Sequence, residues 1–250
     1  MHSRSSRLLS IGFVALLLPS VLGLVRTANR IIVPAGDTIA EDLYAFGGSV
    51  SIEGTVDGDL FALTGELSVS GSVTGDVIGF AGTRVRIDGA VGGSVRVVSP
   101  TIVINGTVGD DVAAVAAELV LDAVIGRDVL AVAGSAEVAG TTGRDVRAQA
   151  WRLDLGGEVA GDVRVKADRI SLGSGVRVVG DVIYQASATA RVAEAASVEG
   201  RLVRSRVFSP VWARAVQRVI AVVSLLGFVL AGLLLGWLFR GTSRQAVASI

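Results

Sequence analysis

An aspartate returns every seventeen residues through the middle of this chain, each time followed by Val or Leu. Asp42, Asp59 and Asp76 hold that spacing; Ser94 takes the next place after 18 residues, and Asp111, Asp128, Asp145 and Asp162 resume it. The beat then loosens to Asp181, 19 residues on, and Arg201, 20 on. A fixed period of this length marks a solenoid, because one short repeat cannot bury its own apolar face and must stack on its neighbours.

Counting each Asp or its substitute as position zero, the columns beside it define the repeat. Position +1 is Val or Leu throughout, and +3 is nearly always small (Ala45, Ala62, Gly79, Ala114, Ala131, Ala148). Positions +8 and +10 carry apolar pairs such as Val50 and Ile52, Leu67 and Val69, and Leu119 and Leu121. One inserted residue after Asp76 moves this pair to Val85 and Ile87. Position +12 is mostly Gly, which fits a corner needing φ > 0 or close backbone approach. Position +14 is apolar again. Apolar pairs two apart are strand-like, since successive side chains point to opposite faces. Three such segments per repeat predict an all-β fold: a three-sided parallel β-helix of about nine to ten coils over residues 31–206. The small +3 residue predicts a narrow apolar column inside.

Composition removes several classes of function. There is no Cys, so disulfides and thiolate metal sites are absent. His2 is the only histidine and precedes the first apolar run, which excludes Ser/His/Asp triads and His-ligated zinc from the repeats. The formal net charge is zero, so no basic face points to nucleic acid. No cofactor is expected.

The termini differ from the repeats. Residues 1–28 read as a secretory signal or an uncleaved anchor: Arg4 and Arg7 precede the apolar run Leu8 to Leu24, with Gly23 and Ala28 as small residues for a peptidase. Residues 209–240 read as a juxtamembrane and transmembrane helix. Ser209-Pro210 is an N-cap signal, and Val219 to Phe239 gives 21 residues without a charge, enough to cross a bilayer. Trp212 and Trp237 lie near its ends as an aromatic belt would, and Gly232 and Gly236 form a GxxxG. Residues 241–250 form a tail, or continue into a longer protein. The signal places the solenoid outside the cytoplasm. The arginine balance around the span points the other way, but large domains behind a signal translocate largely regardless of it.

The coil text, for example Gly58-Asp59-Leu60 to Val73 and Gly75-Asp76-Val77 to Val91, resembles the bactofilins, the polymer-forming cytoskeletal proteins. The likeness covers about residues 36 to 200 and lies in the repeat pattern. It implies a right-handed β-helix, nucleotide-free polymerisation by stacking of coils end to end, and no catalysis. The N-terminal signal and C-terminal span depart from the soluble members and look like membrane-attached relatives.

Two sets of residues are candidates for a role. The corner column Asp42, Asp59, Asp76, Asp111, Asp128, Asp145, Asp162 and Asp181 reads as structural, each carboxylate accepting a backbone N–H and fixing its turn. A ladder of cation ligands is the alternative, but the calcium-binding nonapeptide pattern is absent. The outward positions +2 and +4 form an apolar stripe: Tyr44, Phe46, Phe61, Leu63, Ile78, Phe80, Val98, Leu130 and Val132. In later coils they turn polar or basic, as Arg147, Gln149, Arg164 and Lys166. Such a stripe marks a contact surface unless a flanking segment such as Ile31 to Pro34 covers it. Carbohydrate-active β-helices need clustered carboxylates on inserted loops, whereas Asp88, Asp122 and Asp154 stand singly here. The expectation is therefore a non-enzymatic, membrane-anchored scaffold that forms homo-oligomers or polymers. The alternative is an extracytoplasmic binding module for an envelope polysaccharide or a membrane-protein partner.

Overall fold

The structure, a computed structural model, describes residues 23–187 and 189–205. Within them the chain is a parallel β-solenoid of about eleven turns. Coils 1 to 11 open on Leu24, Leu43, Leu60, Val77, Val95, Val112, Val129, Val146, Val163, Val182 and Leu202, each paired in parallel with the next. Among the described residues there is no helix, and none is long and apolar enough to cross a membrane. The expected signal segment up to residue 22, the expected membrane helix at 209–240 and the tail lie outside the described residues.

The solenoid begins earlier than the sequence reading placed it. Leu24–Val33 is a strand lying along Leu43–Ile52, so residues 24–28 open coil 1. Gly23, not Asp, occupies its corner, and the Leu24 N–H donates to the Asp42 carbonyl at 2.7 Å. Without an aspartate, coil 1 is silent in the repeat count.

Why these residues form these strands is clearest in coil 2. Leu43, Ala45, Val50, Ile52 and Val56 are buried, and the residues between them face outward. That is the two-residue period of extended chain, and it changes phase across Gly47–Gly48. Burying each Leu or Ile contributes roughly 1.5–3 kcal/mol, and every coil repeats the arrangement. The +3 column leaves little space inside. A Cβ on Gly79 would lie 2.9 Å from Leu67 Cδ2 and 3.2 Å from Val97 Cγ1. Within coils 2 to 10, only coil 10 carries a large residue there, the buried Tyr184.

The +12 glycines serve mainly close approach. A Cβ on Gly106 would meet the Gly89 carbonyl oxygen at 1.9 Å, and one on Gly71 would meet that of Gly54 at 2.0 Å. Positive φ occurs in this column only at Gly140 (77°) and Gly157 (68°). The residue inserted in coil 4 is absorbed at a corner: the register with coil 3 shifts between Thr64 and Glu66, opposite Gly82 and Thr83. The Thr83 hydroxyl donates to the Gly65 carbonyl there at 2.7 Å. Coil 5 is broken by Ser99-Pro100 into Val95–Val98 and Thr101–Ile104. Pro100 has no N–H to give, but its carbonyl accepts from Ala117 and Glu118 of the next coil at 2.9 and 3.0 Å.

Candidate functional site

The corner aspartates hold neighbouring coils together. Oδ1 of Asp42 accepts the Asp59 N–H at 2.8 Å, Asp59 that of Asp76 at 2.8 Å, and Asp76 that of Ser94 at 2.8 Å. Asp111, Asp128 and Asp145 accept from Asp128, Asp145 and Asp162 at 3.0 Å each. Asp162 and Asp181 continue to Asp181 and Arg201 at 2.9 and 2.8 Å. Each carboxylate therefore reaches one coil forward, where the sequence reading had it fixing its own turn. The backbone returns the contact: the N–H of Leu43, for example, donates to the Asp59 carbonyl at 2.8 Å. Ser94 interrupts the row, its side chain too short to stand in for the carboxylate.

Arginines take the second carboxylate oxygen along much of this row. Arg96 reaches Asp76 at 2.6 Å, Arg147 reaches Asp145 at 2.8 Å, and Arg164 reaches Asp162 at 2.7 Å and Asp145 at 3.3 Å. Arg201 binds Asp181 at 2.6 Å. Arg127 and Arg144 sit beside Asp128 and Asp145 in sequence, yet they pair with the preceding coil, Arg127 with Asp110 and Asp111 and Arg144 with Asp128. The Ser94 backbone N–H holds the Asp76 carboxyl below its usual range, against partial burial and with help from Arg96. Arg201 lowers Asp181 in the same way, through its guanidinium first and its backbone N–H second. At Asp88, partial desolvation pushes upward but is outweighed by the side chains of Arg86 and Asn105. Among the described residues, no group of three His, Cys, Asp or Glu side chains is arranged to hold a metal ion.

The +2 and +4 residues lie on one face, in register. Tyr44 pairs with Phe61 and Phe61 with Ile78; Phe46 pairs with Leu63 and Leu63 with Phe80. Phe61 is the hub of this stripe. Its ring lies 6.1 Å from that of Tyr44, 5.9 Å from Phe46 and 6.4 Å from Phe80, all tilted. Those spacings suit the aromatic quadrupole and stiffen the cluster. The rings are half-buried by one another, while Leu63 (52%), Val98 (42%) and Leu130 (36%) stand exposed. Val132 continues the column, half-buried, opposite Val115. The segment Ile31 to Pro34 does not cover the stripe, because Ile31 and Val33 point into the core of coil 1.

Two features of this face escaped sequence reasoning. Val25, 52% exposed and paired with Tyr44, extends the stripe into coil 1; its assignment to a signal segment had hidden it. The later half of the face is less basic than its composition implies, because Arg147 and Arg164 are neutralised by Asp145 and Asp162. Comparison with protein-family models, with curated proteins and with solved structures finds no match to this chain.

Proposed function

We propose that this chain is a non-enzymatic, membrane-anchored scaffold that self-associates through the aromatic stripe of coils 1 to 7. The carrying observation is the Phe61 ring cluster, prearranged on a regular face with Leu63 exposed at its centre. An ordered apolar surface of this kind loses little side-chain entropy on association. The coil pattern's likeness to the bactofilins supports polymer formation and a three-sided, right-handed cross-section. The uncharged run Val219 to Phe239 supports anchoring, and the N-terminal apolar run supports a solenoid outside the cytoplasm. The corner carboxylates are committed to backbone and arginine partners, which favours construction over catalysis.

Sizing of the detergent-solubilised full chain tests this. Oligomers or polymers are expected, and Leu63→Ser or Phe46→Ser with Phe61→Ser should dissociate them while the thermal transition persists. A monomer at every concentration, indifferent to these changes, would refute self-association. Protease accessibility of the solenoid in intact cells tests its placement: protection from added protease would refute an extracytoplasmic solenoid.

A further inference from the structure

We infer that coils 8 to 10 carry a second site, a groove for a carboxylate-bearing polysaccharide, formed by Arg152, Arg169 and Arg191 with Ser171 and Thr189. This goes beyond self-association and does not depend on it. The groove has a volume of about 370 Å³ and is lined by those residues, by Asp154, and by the backbone around Leu153 and Ile170. The first clue is a like-charge pair. On this column Arg30 faces Ser49, Ser49 faces Glu66, Glu66 faces Arg84, and Arg84 faces Thr101. Thr101 then faces Glu118, Glu118 faces Ser135, and Ser135 faces Arg152. Only Arg152 and Arg169 set identical charges opposite each other, an arrangement that costs stability across neighbouring strands.

On the apolar-stripe face, the Arg147 and Arg164 pair is neutralised by two corner carboxylates. Here compensation is incomplete. Arg152 holds Asp154 at 2.8 Å, whereas Arg169 lies 4.0 Å from Asp168, whose other oxygen accepts from Ser187 at 2.5 Å. Arg191, in register with Ser171, has no ion pair among the described residues. Glu137, opposite Asp154, adds negative charge one coil away but does not line the groove. Three guanidiniums therefore share one lining carboxylate. Arginine is the side chain best shaped for paired N–H donation to a carboxylate.

Spacing and a neighbour favour a glycan. Successive coils rise by ~4.8 Å, comparable with the advance of one pyranose unit along a chain, so cations on successive coils can meet acid groups on successive sugars. Trp151, 63% exposed, immediately precedes the groove residue Arg152 in the strand, at the corner between the paired positions Ala150 and Arg152. An indole left in water beside polar donors offers a flat apolar face for a sugar ring. The hydroxyls of Ser171 and Thr189 and the carboxylate of Asp154 supply donors and acceptors for sugar hydroxyls.

The test uses the full chain in phosphatidylcholine nanodiscs, titrated with polygalacturonate, with neutral dextran, and with dihexanoyl phosphatidylglycerol below its micellar concentration. Polygalacturonate should bind, weaken with added salt, and lose about tenfold or more in affinity in Arg152→Gln with Arg169→Gln. Trp151→Ala should weaken it several-fold. Arg84→Gln, on the same column in coil 4, should leave it unchanged. These side chains are exposed, so the variants keep the fold, which the thermal transition verifies. No binding of polygalacturonate, equal binding of dextran, or indifference to the double change would each overturn the inference. Binding of the lipid but not the uronate, with the same arginine dependence, would overturn it in favour of a headgroup site.

Discussion

Each corner carboxylate accepts a hydrogen bond from a backbone N–H of the next coil, so removing one weakens the joint between two coils rather than loosening one turn. Asp128→Ala leaves the Asp145 N–H without its acceptor and Arg144 without its partner. The expected loss is about 1–2 kcal/mol, measured by urea denaturation. Asp128→Asn keeps an oxygen acceptor and should retain most of the stability, which distinguishes a backbone clamp from a cation ligand. The glycines act on the same scale. Gly106→Ala places a Cβ against the Gly89 carbonyl and should cost roughly 1–3 kcal/mol by overpacking. Titration follows from Asp76, Asp88 and Asp181, each held below its ordinary 3.8 in the folded chain. The folded state then binds fewer protons than the unfolded one. Their contribution is complete above the ordinary carboxylate value and is lost as pH falls below it. A flat thermal midpoint at neutral pH with a decline below about pH 4 is the expected profile.

At the scale of the coil, stability is a sum of repeats and the interfaces between them. Coils 2 to 9 each bury a full set of apolar residues, whereas the last short strands do not. Arg191–Val192 and Leu202–Arg204 are exposed throughout, and Ser197–Val198 is only half-buried at Val198. Hydrogen exchange should therefore find coils 10 and 11 opening well before Val112–Ile125 and Val129–Thr142, the longest strands in the stack. Uniform protection along the chain would contradict this. Within the stack, Leu121→Ala removes a fully buried side chain and should cost about 2–5 kcal/mol. The fold's narrow interior gives neighbouring coils little freedom to collapse into the void.

For the whole molecule, the start of coil 1 constrains processing. Gly23 and Ala28 both offer a small residue to a peptidase, but only a cut after Gly23 leaves the Leu24–Val33 strand and its pairing with coil 2 whole. A mature N-terminus at Leu24, read by intact mass, is expected if the signal is removed; one at Asn29 would mean that the Leu24–Ala28 part of this strand is absent from the working protein. The two proposed surfaces also separate cleanly. The apolar stripe is richest in coils 2 to 4 and the arginine groove lies in coils 8 to 10, so loss of assembly in Leu63→Ser should leave polygalacturonate binding intact.

Much of this protein was legible in the sequence because a solenoid's contacts are local in period: residue i meets its counterpart one repeat away. The aspartate beat and the apolar pairs beside it predicted the β-solenoid, the buried columns, the stripe and even the inserted residue of coil 4. Coil 1 was not legible, because Gly23 replaces the aspartate that announces a coil. Nor was the destination of each charge. Arg127 and Arg144 look adjacent to Asp128 and Asp145 on paper, but a strand points neighbouring side chains apart while stacking brings residues seventeen apart together. Stacking sent those arginines back one coil, joined Arg164 to Asp145 of the coil before it, and gathered Arg152, Arg169 and Arg191 around one groove. The sequence by itself determined the repeat and what it buries. Tertiary structure decided which outward charges neutralise one another and which remain open to a ligand.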